Sequence, residues 1–128
     1  MDPKSLRYAK SHEWAAINGD TVTVGVSQFA VDLLTDVTHV ELPKVGRSVT
    51  AGAACGEIES VKAVSDLYAP VEGTVAAVNT DAAANPGLVS SDPYGQGWLF
   101  KITVKPGTTL SHLFDIKQYE EHVRNEGH

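Results

Sequence analysis

The chain has 128 residues, of which 42% are hydrophobic and 20% are charged, which is enough for one packed domain and hardly enough for two. The formal net charge of −6 and the absence of a Lys/Arg cluster argue against nucleic acid or an anionic membrane surface as a partner. No apolar stretch is long enough to cross a bilayer, and residues 1–10 resemble neither a signal peptide nor a transit peptide.

Turn signals recur every 8 to 12 residues, and the segments between them are short and rich in Val, which is typical of all-β domains. In the first half, Asn18-Gly19-Asp20 predicts a hairpin turn. Ser27 is suited to cap a short helix over residues 28–34, whose apolar positions form one stripe. Strands are predicted over residues 12–17, 21–26 and 37–42.

In the second half, two short strands are predicted on either side of Lys62-Ala63. These and the later strands cover residues 57–61, 64–68, 74–78 and 98–104. Residues 81–85 predict one helical turn, and residues 111–125 predict a C-terminal helix from their rough 3.6-residue period. The pattern therefore predicts one mainly β domain over residues 1–128, with short helices in the N-terminal third and at the C-terminus.

Cys55 is the only cysteine, so an internal disulfide is impossible, which fits a reducing compartment. Among Ala and Gly neighbours it is expected to be a small buried residue. The five His residues are scattered and no pair has metal-ligand spacing, so each is expected to be solvated or structural. We expect a cytoplasmic protein, or a mitochondrial matrix protein if the source is eukaryotic.

Lys62 stands between two predicted strands, at the tip of a hairpin. A Lys on a loop is usually only a solvated charge. Its neighbours Val61 and Ala63, however, are apolar where a turn normally has Gly, Asn, Asp or Pro, and exposed apolar flanks suggest a surface that another protein contacts. Lys62 is also the only Lys or Arg between Arg47 and Lys101. These features predict a domain that presents Lys62 as an attachment site.

Six sequence blocks between about residue 6 and residue 119 resemble the H proteins of the glycine cleavage system. Together, in this order, they are highly specific. They are Ser11-His12-Glu13-Trp14, Val24-Gly25-Val26, Val40-Glu41-Leu42-Pro43, Glu59-Ser60-Val61-Lys62-Ala63-Val64-Ser65-Asp66, Tyr68-Ala69-Pro70-Val71-x-Gly73 and Asp92-Pro93-Tyr94-Gly95-x-Gly97-Trp98. Biotin carriers have a similar hairpin, but with Met on both sides of the Lys. Lipoyl domains of 2-oxo-acid dehydrogenases usually have Asp before the Lys and lack the first and last blocks.

The resemblance implies a fold like that of lipoyl and biotinyl domains, a flattened sandwich of two β-sheets (a barrel-sandwich hybrid) with extra helices. It implies that Lys62 carries lipoic acid in amide linkage, attached by a lipoate ligase or a lipoyl/octanoyl transferase. It also implies that the chain shuttles the aminomethyl group of glycine from glycine decarboxylase to an aminomethyltransferase, and is then reoxidised by dihydrolipoamide dehydrogenase. The chain itself would be a monomeric carrier. It would not be a catalyst, since no arrangement of catalytic residues is evident.

Positions that match the family further imply a cleft into which the loaded arm folds back. Ser11, Glu13 and Asp66 would lie near it, with Val26 as an apolar wall. A carboxylate facing a cationic amine is favourable, although Glu13 and Asp66 could equally be ordinary solvated or turn-capping acids.

Glu59, Val61 and Ala63 are the expected recognition residues for a ligase or a partner, although a solvated acid explains Glu59 equally well. Two alternatives share the same hairpin. One is a relay protein that donates lipoyl groups to 2-oxo-acid dehydrogenase complexes. The other is a homologue that has lost its partners and is only structural.

Three positions depart from the family pattern. Thr35 stands where a Gly usually follows the short helix and would suit a left-handed cap, so modest strain or a different helix end is expected there. His39 replaces a usual aromatic residue, and Ser90 replaces a usual Asn. None of these positions lies in the hairpin that carries Lys62.

Overall fold

The computed structural model describes residues 2–126. Its strands are β1 (Arg7–Tyr8), β2 (Glu13–Asn18), β3 (Thr21–Val26), β4 (Val37–Glu41), β5 (Ser48–Val49), β6 (Ala54–Ser60), β7 (Val64–Tyr68), β8 (Gly73–Val78) and β9 (Phe100–Thr103). Its helices are α1 (Gln28–Leu34), α2 (Thr80–Ala84), α3 (Gly87–Ser91) and α4 (Ile116–Glu126), with a 3₁₀ turn at Pro3–Ser5. Within residues 2–126, no helix has the length and apolar character needed to span a membrane.

Two antiparallel sheets form the body of the molecule. The larger sheet has the strand order β1-β2-β3-β9-β8-β5, and the smaller has the order β4-β6-β7. Val24 and Phe100 from the larger sheet share one hydrophobic cluster with Ile58 and Leu67 from the smaller, so the core lies between the two sheets. The prediction of a mainly β sandwich with a few short helices is confirmed, and the sheets do not close into a barrel.

The β2–β3 hairpin depends on a close contact between a large and a small residue. Trp14 is fully buried, and its indole N–H donates to the carbonyl of Pro93 at 3.0 Å. Gly25 lies opposite Trp14 in the strand register, and a Cβ there would stand 2.5 Å from the indole ring. Only glycine leaves room for the ring in this position, which explains the Gly inside an otherwise Val-rich strand.

Helix α1 begins and ends as its sequence predicts. The Ser27 hydroxyl caps it by accepting from the N–H of Ala30. Thr35 follows the helix with φ at +64°, a conformation that strains a β-branched residue, as expected where glycine is the usual choice. The Ser90 hydroxyl steadies this corner, donating to the Thr35 carbonyl at 3.2 Å and accepting from the N–H of Val37 at 3.1 Å.

The C-terminal helix starts later than predicted. The predicted helix began at residue 111, whereas α4 begins at Ile116. Asp115 and Gln118 explain the start, because each side chain accepts from the other residue's backbone N–H, at 2.8 and 3.0 Å, and so caps the first turn. Before it, Phe114 bridges to Tyr8 and holds that segment against β1.

Four short elements have no counterpart among the predicted ones: β1, β5, α3 and the 3₁₀ turn at Pro3–Ser5. The longest has five residues, too few to show a helical or strand period. Two strands differ from the prediction by more than one residue in length, since β6 begins earlier, at Ala54, and β9 is shorter, covering Phe100–Thr103.

Helix α4 packs on the larger sheet through aromatic rings. Tyr119 stacks on Tyr8 with their ring centroids 4.3 Å apart. These two residues form a second buried cluster with Leu6 and Trp14. The C-terminal helix is therefore anchored close to the start of β2, where the predicted cleft residues lie.

Candidate functional site

Lys62 lies in the turn that joins β6 to β7. The strands pair up to Glu59 and Val64, and the turn is closed by Ser60. The Ser60 hydroxyl accepts from the N–H groups of Lys62 and Ala63, both at 3.1 Å, and the Ser60 N–H donates to the Ala63 carbonyl at 2.8 Å. The hydroxyl of Ser60 therefore stabilises a turn that contains no Gly or Asn.

The function of Ser60 was missed by sequence reasoning. A Ser three residues before the end of a tight turn is a signal that could have found it, because Ser hydroxyls commonly accept backbone N–H groups in turns.

The side chain of Lys62 is exposed, and in the described part of the chain its ammonium makes no ion pair. Its neighbours are exposed as well, with Val61 at 70% and Val64 at 60% of their maximal accessible surface. Apolar side chains this exposed on both sides of one amine form a surface suited to contact with another protein. Nothing in the hairpin hinders an enzyme from reaching the Lys62 amine.

The hairpin is braced along its other edge by β4. His39 pairs with Glu59, and Val37 pairs with Ser60, so that three strands support the stem. The N–H of Val61 also donates to the carbonyl of Asp36 at 3.3 Å. Hydrogen bonds from β4 and the residue before it therefore reach as far as Val61, and Lys62 follows directly.

A small cavity of about 90 Å³ lies between α1, the start of β2 and the middle of β7. Its lining includes all four residues of the expected cleft, Ser11, Glu13, Val26 and Asp66. The remaining lining residues are mainly apolar. Apart from His12, which precedes β2, they come from α1 and from the β6–β7 hairpin: Ala30, Leu33, Leu34, Ile58, Ser65 and Leu67. The structure therefore brings the four together, although they come from distant parts of the sequence.

Glu13 is the most unusual group in this cavity, because only 1% of it is exposed. One carboxylate oxygen accepts from the Ser11 hydroxyl, and the other accepts from the N–H of Tyr68 at 3.0 Å. Burial raises the pKa of Glu13 to about 7, and the two hydrogen bonds only partly oppose this. Near neutral pH the protonated and ionised forms of Glu13 therefore coexist, and a cation bound beside it would favour the carboxylate form.

The other acid of the expected cleft is different. Asp66 is exposed on β7, where the Tyr68 hydroxyl lies 3.5 Å from one of its carboxylate oxygens. Asp66 is four residues from Lys62 along the hairpin, which at about 3.3 Å per residue places it at most about 13 Å from the tip. The cavity is thus lined by one buried acid, Glu13, and one exposed acid, Asp66.

Cys55 has no part in this site. It is buried in the core, and burial raises the pKa of its thiol to about 11, so the thiol stays protonated. Trp98 is half-buried, with the Lys101 ammonium 5.0 Å from its ring centroid. Both residues serve packing, which for Cys55 is the role expected from the sequence.

The family model "Glycine cleavage H-protein" matches residues 6–126. A glycine cleavage system H protein from Micrococcus luteus is 53% identical over 123 residues, which cover 94% of this chain and 96% of that protein. One from Mycobacterium avium is 54% identical over 122 residues, covering 91% and 92% respectively. A crystal structure of a glycine cleavage system H protein from Mycobacterium marinum aligns with a TM-score of 0.83 at 38% identity, and covers 99% of this chain and 100% of that one.

Proposed function

The chain belongs to the glycine cleavage H-protein family, and we propose that it is a lipoyl carrier whose lipoyl group is attached in amide linkage to Lys62. The observation that carries the proposal is the exposed, unpaired amine at the tip of a braced hairpin. We further propose that residues 1–128 act as one lipoyl-binding domain, without catalytic activity of its own, in the cytoplasm.

The residues around Lys62 fit such a group. Its amine is free to be acylated, and acylation removes a charge that no described carboxylate needs as an ion-pair partner. Attachment requires an activated acyl donor, which we assign to a lipoate ligase or a lipoyl/octanoyl transferase. Val61 and Ala63 flank the amine, and Glu59 lies on the stem below it, so these three residues are the proposed contacts for that enzyme.

The bound lipoyl group would supply a disulfide that accepts an aminomethyl group and is afterwards reoxidised. The protein's contribution is to position the cofactor. A rigid stem keeps the attachment point at the molecular surface, and the tether raises the effective concentration of the cofactor at each partner enzyme. Those partners are glycine decarboxylase, an aminomethyltransferase and dihydrolipoamide dehydrogenase.

Ser11, Glu13, Val26 and Asp66 are proposed to hold the end of the loaded arm between encounters. Their shared cavity supports this, since its residue Asp66 lies at most about 13 Å from the tip along the strand. That distance is similar to the arm length expected from standard bond lengths. A positively charged amine beside Glu13 would be stabilised by a carboxylate that water reaches poorly.

A reconstituted glycine cleavage assay tests the proposal. Lipoylated chain is mixed with glycine, tetrahydrofolate, NAD and the three partner enzymes, and NADH formation is followed. The native chain should support NADH formation, and Lys62→Arg should support none. Lys44→Arg, which changes an exposed Lys outside the hairpin, is the matched control and should behave as the native chain. Equal rates for the native chain and Lys62→Arg would overturn the proposal.

A further inference from the structure

Three side chains from opposite ends of the sequence meet on the surface beside the start of β2. His12 precedes β2, and His122 and Glu126 lie on α4. The Nε2 atom of His12 is 2.8 Å from one carboxylate oxygen of Glu126, and the Nε2 atom of His122 is 2.9 Å from the other. Two imidazoles therefore direct the same ring nitrogen at a single carboxylate.

The convergence follows from local structure. His122 and Glu126 are four residues apart on α4 and so share one face of the helix. The stacking of Tyr119 on Tyr8 holds that face against β1 and β2. His12 adopts a φ of +81°, unusual for a residue with a side chain and common at functional sites.

The other ring nitrogen of His12, Nδ1, is held by a hydrogen bond inside the protein. Its Nδ1 atom is 2.8 Å from the Tyr119 hydroxyl, which is in turn 2.6 Å from the Ser27 hydroxyl. Only 12% of the His12 side chain is exposed, whereas 42% of the Glu126 side chain is. The His12 ring is thus held by hydrogen bonds on its Nδ1 side, while its Nε2 atom faces the exposed carboxylate of Glu126. In metal-binding histidines, too, one ring nitrogen is held by a hydrogen bond and the other is directed at the ion.

We propose that His12, His122 and Glu126 bind a divalent transition metal ion with the coordination chemistry of Zn²⁺. Two imidazole nitrogens and one carboxylate are a common donor set for zinc, with a fourth position left for water. The candidate ligand atoms all lie within 4.8 Å of one another. Around a tetrahedral ion with bonds of about 2.1 Å, ligand atoms are about 3.4 Å apart, so small side-chain movements suffice.

Metal binding would exchange the present hydrogen bonds in a consistent way. Both Nε2 atoms give up their protons to solvent, and His12 then donates from Nδ1 to the Tyr119 hydroxyl. His122 also gives up a contact of 3.0 Å between its Nε2 atom and the Lys10 carbonyl, which is at the surface where water can replace it. The ion would tie the C-terminal helix to the residue next to Glu13. This inference does not depend on the lipoyl group.

Isothermal titration with zinc chloride tests the proposal. The 128-residue chain is produced without lipoylation, so that no sulfur of the lipoyl group competes for the ion. The native chain should bind one equivalent of Zn²⁺ and unfold at a higher temperature when it is present. His122→Ala and Glu126→Gln should each weaken binding about tenfold or more, and Tyr119→Phe, which leaves the ligands in place, about tenfold.

His39→Ala is the matched control, because His39 is an exposed His on β4 and should not affect binding. Glu126→Gln keeps the size of the side chain. It therefore tests metal binding even if His122→Ala destabilises α4. A native chain that binds no zinc, or variants that bind it as the native chain does, would overturn the proposal. Loss of binding in His39→Ala alone would overturn it too.

Discussion

Replacing Glu13 with Gln should change how the stability of the protein depends on pH. Glu13 is buried, and its pKa is raised by that burial from an ordinary value of 4.5 to about 7. Gln resembles the protonated acid. Its amide can donate to the Ser11 hydroxyl while its oxygen accepts from the N–H of Tyr68, so both contacts of Glu13 are kept.

The sign of the effect follows from which state loses its proton first. Below about pH 4.5 Glu13 is protonated in both the folded and the unfolded chain, and its burial carries no charge penalty. As the pH rises from there, the unfolded chain ionises first and the free energy of unfolding falls, until the folded pKa is passed near pH 7. At about 1.4 kcal/mol per pH unit, the loss is on the order of 3 kcal/mol.

Urea unfolding of the native chain and Glu13→Gln, at steps between about pH 4.5 and pH 8, measures this loss. The native chain should lose about 3 kcal/mol relative to the variant over this range. Glu72→Gln removes an exposed acid and is the control, since its pH profile should run parallel to that of the native chain. Parallel profiles for the native chain and Glu13→Gln would refute the argument from burial.

Three further predictions concern stability and recognition. Gly25→Ala should lower the free energy of unfolding by about 3 kcal/mol, because its Cβ would meet the Trp14 ring, and urea unfolding at an unchanged midpoint would contradict this. Thr35→Gly should raise the free energy of unfolding by about 1 kcal/mol by relieving its positive φ; a lower midpoint would show that its hydroxyl contact with the Leu34 carbonyl matters more. Val61→Asp should slow lipoylation several-fold in a ligase time course with no change in melting temperature, since Val61 is exposed at the tip; an unchanged rate would exclude it from recognition.

Much of the fold could be predicted because its signals are local. Ser27 caps α1 where the sequence indicates, and Thr35 takes the positive φ expected at a position that favours glycine. The predicted start of the C-terminal helix was wrong, because the apolar period continues through residues 111–115. The start observed in the structure is set by the reciprocal cap between Asp115 and Gln118. Capping contacts of this kind compete with periodicity and decide the ends of helices.

The candidate site was predictable only in part. Lys62 could be found because its apolar neighbours are unusual for a turn, a feature visible in the sequence. The raised pKa of Glu13 could not, because it results from burial among residues that are distant in the sequence. The His12 and His122 pair was likewise invisible, since 110 positions separate the two residues and only the packing of α4 brings them together.

The attachment of the lipoyl group is tested most directly by mass spectrometry of the chain produced together with a lipoate ligase and lipoic acid. The intact protein should gain the mass of one lipoyl group, and after digestion the gain should lie on the peptide that contains Lys62. Lys62→Arg should show no gain under the same conditions. A native chain that stays unmodified, or a gain on a peptide without Lys62, would contradict the account.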